Sequence, residues 1–138
     1  MTPTQIDLVQ ESFRKVVPIQ QTAAQLFYAR LFELDPSLES MFRGDMNQQG
    51  QKLMAAMTYV VEGLGNLADI LPAIQDLGRR HAGYGVQPRH YQTVASALLW
   101  TLEQGLGDDF DDDTKQAWAA AYGLLATTMI EADPRKAA

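Results

Sequence analysis

Apolar residues recur at intervals of three and four along almost the whole chain, the spacing that returns side chains to one face of an α-helix. Ile6, Val9, Phe13, Val16 and Val17 mark a first helix, and Thr2-Pro3-Thr4-Gln5 supplies its start. Thr2 reads as the N-cap, Pro3 as the first helical residue and Gln5 as the partner that completes a capping box. Pro18 ends that helix or bends it into the next. Ala23, Leu26, Phe27, Ala29, Arg30 and Phe32 carry the second run to Asp35-Pro36, where an N-cap and a first-turn proline begin a short helix ending near Phe42. Arg43-Gly44-Asp45 reads as a turn. A long helix from about Met46 presents Gln49, Leu53, Ala56, Met57 and Val60 on one face and is closed by Gly63, Gly65 and Asn66. Leu71-Pro72 opens the helix that carries His81, and Tyr84-Gly85-Val86-Gln87-Pro88 breaks it. Two long helices follow, over about residues 89–105 and 111–131. No strand-like alternation persists, so the expected architecture is all-α, with seven or eight helices and short connections in one domain over residues 1–138.

Composition narrows the chemistry. A chain of 138 residues, 46% hydrophobic and 20% charged, is long enough for one core and too apolar for a disordered segment. It has no cysteine, which excludes disulfides, thiolate-bound zinc, iron–sulfur clusters and thiol catalysis together. Two histidines and the carboxylates are the strong metal ligands left. A net charge of −6 with dispersed basic residues argues against a nucleic-acid surface. No run of about 18 apolar residues and no secretory leader pattern is present, so no membrane association and a cytoplasmic location are expected.

The histidine with the most informative surroundings is His81, in Gln75-Asp76-Leu77-Gly78-Arg79-Arg80-His81-Ala82-Gly83-Tyr84-Gly85-Val86. Ile74 and Leu77, seven and four residues earlier, put an apolar wall on its side of the helix. A neutral imidazole so placed is arranged as a single axial ligand to a buried iron porphyrin. His90 has no such surroundings and reads as a surface residue at a helix N-terminus; its nine-residue separation from His81 fits no zinc spacing.

Three spacings add to this reading. Tyr28 lies 14 residues before Phe42 of Ser40-Met41-Phe42, Gln49 lies 32 before His81, and Tyr91 lies ten after it. With the segments Leu26-Phe27-Tyr28-Ala29-Arg30-Leu31-Phe32, residues 75–86 and Ala117-Trp118-Ala119-Ala120-Ala121-Tyr122-Gly123, they make the chain resemble the bacterial single-domain haemoglobins and the globin domain of flavohaemoglobins over nearly its whole length. The resemblance implies a globin fold around a haem. Phe42 would be the aromatic that stacks on the porphyrin, His81 the proximal iron ligand, and Tyr28 and Gln49 the distal residues, with Gln48 replacing Gln49 if the register slips by one. Leu53, one turn after Gln49, would lie over the same face; Lys52 would reach the rim and pair with a propionate. Leu77 and Val86 would line the pocket. Tyr91 matches a tyrosine that the family sets behind the proximal imidazole together with a glutamate. That glutamate is replaced here: ungapped counting from Tyr122 lands on Asp133, and a two-residue gap lands on Glu131. With no cysteine for thioether attachment, the cofactor would be a non-covalent haem b.

Tyr28 sets the expected activity. A tyrosine hydroxyl turned inward between apolar neighbours needs a polar partner or bears a desolvation cost of about 1–3 kcal/mol. A dioxygen ligand with negative charge on its outer atom is such a partner. Hydrogen bonds to a charged acceptor contribute about 1.5–3 kcal/mol each, and about 1.4 kcal/mol is tenfold in affinity. Donors on both Tyr28 and Gln49 therefore imply slow oxygen release and high affinity, as in storage or scavenging. The alternative is a nitric oxide dioxygenase that converts nitric oxide to nitrate. No dinucleotide-binding glycine motif lies in the sequence, so a separate reductase is the expected electron source. A haem-free regulatory domain is disfavoured because it has no use for His81, Phe42 and a polar distal pair together. An amide at residue 49 also predicts a ferric iron free of bis-histidine ligation, with Tyr28 as the one internal competitor.

Overall fold

The first helix begins as its sequence dictates: the Thr2 hydroxyl accepts from Gln5 N at 3.1 Å and Gln5 Oε1 accepts from Thr2 N at 3.0 Å. In the computed structural model, which describes residues 1–42 and 44–137 (and side chains only as far as residue 135), this is α1 (Pro3–Val16). It is followed by α2 (Gln20–Leu34), α3 (Met46–Gly63), α4 (Leu67–Gly83), α5 (Pro88–Leu106) and α6 (Asp112–Glu131). Arg43, in the expected turn, lies outside the described residues. Among the described residues there is no strand, and short 3-10 segments join or flank the helices.

The all-α expectation holds, and two details of it are corrected. Seven or eight helices become six α-helices among the described residues, because the short helix before Phe42 is a 3-10 segment, Pro36–Met41. Six residues capped by Asp35, whose carboxylate accepts from Ser37 N at 3.1 Å, hold only two tight turns before the chain extends at Phe42. The helix carrying His81 starts at Leu67, not at Leu71-Pro72, and Pro72 sits inside it. Pro72 is exposed, so the backbone bond it deletes falls on the solvent face, where water replaces it.

The core forms three clusters. In the first, Val9, Phe13 and Val16 of α1 meet Met54 and Val61 of α3, Leu102 and Leu106 of α5, and Ala117, Trp118 and Ala121 of α6. Trp118 Nε1 donates to Ser12 Oγ at 2.8 Å, so both buried polar groups are satisfied across α1 and α6. The second cluster joins Phe27, Tyr28 and Leu31 of α2 to Leu38 and Ala97, with Phe32, Phe42, Leu53, Val94 and Leu98 half-buried at its edge. The third joins Ile70 and Ile74 of α4 to Met129 of α6, with Leu77, Tyr91 and Leu125 half-buried.

Two glycines set how closely helices cross. A Cβ at Gly50 would stand 3.0 Å from the Ala24 Cβ, so α2 and α3 touch nearly backbone to backbone, and Tyr28 and Gln49 flank that crossing. A Cβ at Gly78 would overlap the Met129 backbone carbonyl. α4 is thereby pressed against α6 one turn before His81.

Candidate functional site

The walls of the site come from different parts of the chain. One side is built on the α2–α3 crossing. Tyr28 is buried, 8% exposed, and its ring packs edge-on against Phe27 and Phe42, each at 5.2 Å between centroids, and stacks on Phe32 at 6.0 Å. Phe32 and Phe42 meet edge-on at 5.4 Å. Edge-to-face contacts among four rings fix the tyrosine's direction more tightly than area burial alone. Burial pushes the phenol up to about 12, so it stays protonated and a donor. Its hydroxyl donates to the Gln49 backbone carbonyl at 3.4 Å, near the outer limit for an O–H···O bond. The donor is thus only weakly committed.

Gln49 lies in the first turn of α3, half-buried, while Gln48 is exposed. That difference places Gln49, not its neighbour, on the inner side. Leu53, one turn on, joins the Tyr28 cluster at its edge, and Lys52 is exposed on the rim of α3. Asp45 caps this helix, accepting from Asn47 N at 2.8 Å.

The other side is α4. His81 lies in its last turn, and its Nδ1 stands 2.7 Å from the Leu77 backbone oxygen. A carbonyl only accepts, so Nδ1 bears the proton and Nε2 keeps its lone pair. Burial lowers the imidazole below its ordinary value, against the Leu77 hydrogen bond, and Arg80 beside it lowers it further. The ring is therefore neutral at physiological pH. Leu77 and Val86 are both half-buried, above and below His81 in sequence, and Val86 N donates to His81 O at 3.1 Å.

These residues fit a haem. A neutral imidazole with one free, oriented nitrogen is the usual axial donor. Phe42, Leu53, Leu77, Val86, Val94 and Leu98 are apolar yet half-buried, which leaves them surface to cover a flat apolar group. Among the described residues no group of three or more His, Asp or Glu could hold a bare metal ion.

Behind His81, Tyr91 sits half-buried in the third cluster. Burial raises its phenol, the Asp133 carboxylate raises it further and Arg135 partly opposes this. Asp133, not Glu131, is the carboxylate on this side; Glu131 is exposed. Asp133 does not reach the imidazole. It accepts from Arg135 N at 2.8 Å, from Arg135 Nε at 3.0 Å and from Arg135 Nη2 at 2.7 Å, and those bonds hold it below the usual carboxylate range.

His90 is corrected. It is buried, 3% exposed, because its Nδ1 accepts from Gln87 N at 2.9 Å and the ring folds under the start of α5 as a capping group. Its Nε2 has no partner among the described residues. A glutamine three residues before the histidine, just ahead of a proline, was the available signal. Sequence reasoning also missed Arg135 and Tyr122, whose hydroxyl donates to Tyr91 O at 2.7 Å. The Tyr122 bond spans 31 residues and the Arg135 bond to Val86 O spans 49, with no local pattern to announce either.

Comparison with known proteins agrees with this geometry. Residues 25–129 match the Globin family. The chain is 36% identical over 107 residues to a flavohemoprotein of Chromobacterium violaceum, covering 75% of this chain and 26% of that protein. It is 32% identical over 131 residues to a flavohemoprotein of Bacillus subtilis, covering 87% and 32%. It therefore spans about a quarter to a third of the length of these relatives. Among solved structures it is similar to the engineered carbene transferase RmaNOD, a putative nitric oxide dioxygenase from Rhodothermus marinus, with a TM-score of 0.88, 26% identity and coverage of 99% of this chain and 96% of that one.

Proposed function

Because this chain belongs to the globin family, whose match covers residues 25–129, we propose that it binds dioxygen reversibly and tightly on a non-covalent haem b, with His81 as proximal ligand and Tyr28 and Gln49 as distal donors. The observation that carries this reading is the 2.7 Å contact of His81 Nδ1 with Leu77 O, which orients the ring and leaves Nε2 as the only ligating nitrogen. Haem, when bound, supplies an iron that takes up small diatomic ligands. Phe42, Leu53, Leu77 and Val86 would hold the apolar ring, Lys52 would pair with a carboxylate on its rim, and Tyr91 would support the His81 side. Tyr28, weakly tied to Gln49 O at 3.4 Å, turns its proton toward a ligand with negative charge on its outer atom, and the Gln49 amide adds a second donor. The proximal acceptor favours holding the ligand over activating it. Leu77 O is neutral, and the Asp133 carboxylate is occupied by Arg135, so among the described residues the recorded partner of Nδ1 is not an anion that would raise the donor strength of the imidazole.

A second reading is supported by the relatives: a nitric oxide dioxygenase, converting nitric oxide and dioxygen to nitrate, with electrons from a separate reductase. Tyr28 and Gln49 serve it in the same positions. Stopped-flow mixing of the oxygenated protein with nitric oxide, repeated under turnover with a reductase, separates the two. Sustained nitrate formation at rates that outrun autoxidation establishes the dioxygenase; a single slow turnover with stable oxygen binding establishes the binding protein. A protein that takes up no haem overturns both.

A further inference from the structure

The C-terminal segment makes one long-range contact that the ligand-binding scheme does not use. Arg135 Nη2 donates to the backbone carbonyl of Val86, 49 residues earlier, while the same guanidinium is gripped by both oxygens of Asp133 at 3.0 and 3.1 Å from Nε. Arg135 N also donates to Asp133 Oδ1 at 2.8 Å, so the carboxylate fixes both ends of the arginine and aims it at one carbonyl. A planar guanidinium with one edge on a carboxylate has its other donors directed away from it, which suits it to such a bridge better than a lysine.

Val86 is the middle of the short connection between His81 and α5. Its N–H donates to His81 O at 3.1 Å, and Gln87 N donates to the His90 ring at 2.9 Å. Apart from Arg135, the connection is tied by hydrogen bonds on its N–H groups and by the Gln87 side-chain amide, which donates to the Gly85 carbonyl at 3.5 Å. With Arg135, both the N–H and the carbonyl of Val86 are held.

We propose that Arg135, aimed by Asp133, is a positioning residue for the proximal wall: it clamps the Val86 carbonyl and so fixes the connection that sets Val86 against the cofactor and closes the pocket below His81. The consequence for the cofactor rests on the haem reading given above; the clamp itself does not. In the Arg135–Asp133 pair the arginine side chain is exposed, 43% accessible, while that of Asp133 is 13% accessible, and an ion pair with one partner open to water contributes little to global stability. Its effect is therefore local order.

The test compares wild type with Arg135→Ala, Arg135→Lys and Asp133→Asn. In Arg135→Ala, hydrogen exchange over residues 84–87 speeds up at least about tenfold while α1 is unchanged; haem transfer to an excess of apomyoglobin speeds up at least about threefold; and the iron–histidine stretching band of the ferrous deoxy protein broadens or shifts. A merely structural contact leaves that band where it is. Arg135→Lys restores the exchange protection in part, and Asp133→Asn falls between wild type and Arg135→Ala. Unchanged exchange over residues 84–87 in Arg135→Ala overturns the clamp. Faster exchange with haem transfer within twofold of wild type and an unmoved band overturns its role in the pocket. A wild-type protein that binds no haem sinks the functional reading instead, and the exchange arm still decides the clamp.

Discussion

Two regions of the molecule, around Tyr28 and around His81, are held by different kinds of force. The Tyr28 region rests on side-chain packing: four aromatic rings of α2 and the Phe42 corner, 5.2–6.0 Å apart, and a tyrosine hydroxyl whose bond to Gln49 O is 3.4 Å long. The His81 region rests on short hydrogen bonds to backbone carbonyls, from His81 to Leu77, Tyr122 to Tyr91 and Arg135 to Val86. Packing fixes where the Tyr28 ring is and leaves its proton weakly committed. Backbone bonds fix which nitrogen the His81 ring offers. A binding site needs both: a ligand whose tautomer is settled in advance, and a donor still available when the substrate arrives.

The sharpest break in that contrast is His81→Ala, which removes the ring that the Leu77 bond orients. Loss of the normal haem absorption spectrum and of ligand binding is the expected result, and an unchanged spectrum would remove the assignment altogether. Next comes Gly78→Val. Its side chain meets the Met129 backbone, which has no rotamer to escape into, so α4 must shift from α6. Thermal or urea unfolding should report a loss of about 1–3 kcal/mol, with a matching rise in haem loss. The same substitution on an exposed α3 position such as Gln51 should cost far less.

On the distal side the effects are kinetic. Tyr28→Phe keeps the ring contacts and deletes the donor; oxygen dissociation measured by stopped flow should speed up by about tenfold or more, equivalent to about 1.4 kcal/mol, with carbon monoxide much less affected. Gln49→Leu should act in the same direction by a smaller factor. If both variants release oxygen within twofold of wild type, the distal donors are not engaged.

The smallest effect is a pH slope. Burial lowers both His81 and His90 below their ordinary value near 6.5, so the unfolded chain takes up protons at a higher pH than the folded one. Stability of the haem-free protein is then full above about 6.5 and declines as pH falls through that value toward the lower folded values. His90→Asn, which keeps an acceptor for Gln87 N, should flatten that slope in pH-dependent unfolding.

Much of this was written locally. The capping box of Thr2 and Gln5, the N-caps Asp35, Asp45 and Asp111, and the break before Pro88 all appear where their residues demand. They depend on contacts two to four residues apart, which a sequence displays directly. The misreadings have one cause. A proline inside a helix costs a hydrogen bond, so Pro72 reads as a helix start, and only the fold shows that it sits on the exposed side of α4. His90, at a helix N-terminus without an apolar wall, reads as a surface residue; the packed start of α5 turns it inward.

By itself the chain determined an all-α fold and helix ends to within a few residues, and it singled out residues whose chemistry suits a cofactor, because helical period, capping and residue type are local properties. The tertiary structure decided which of Gln48 and Gln49 is half-buried, which of Asp133 and Glu131 lies beside Tyr91, and that this carboxylate serves Arg135. It also decided that Gly50 and Gly78 are crossings. Those outcomes turn on half a helical turn of rotation or on partners 49 residues apart. Only the packing of one helix on another fixes such rotations, because the energy that selects them lies in contacts the chain makes after it has folded.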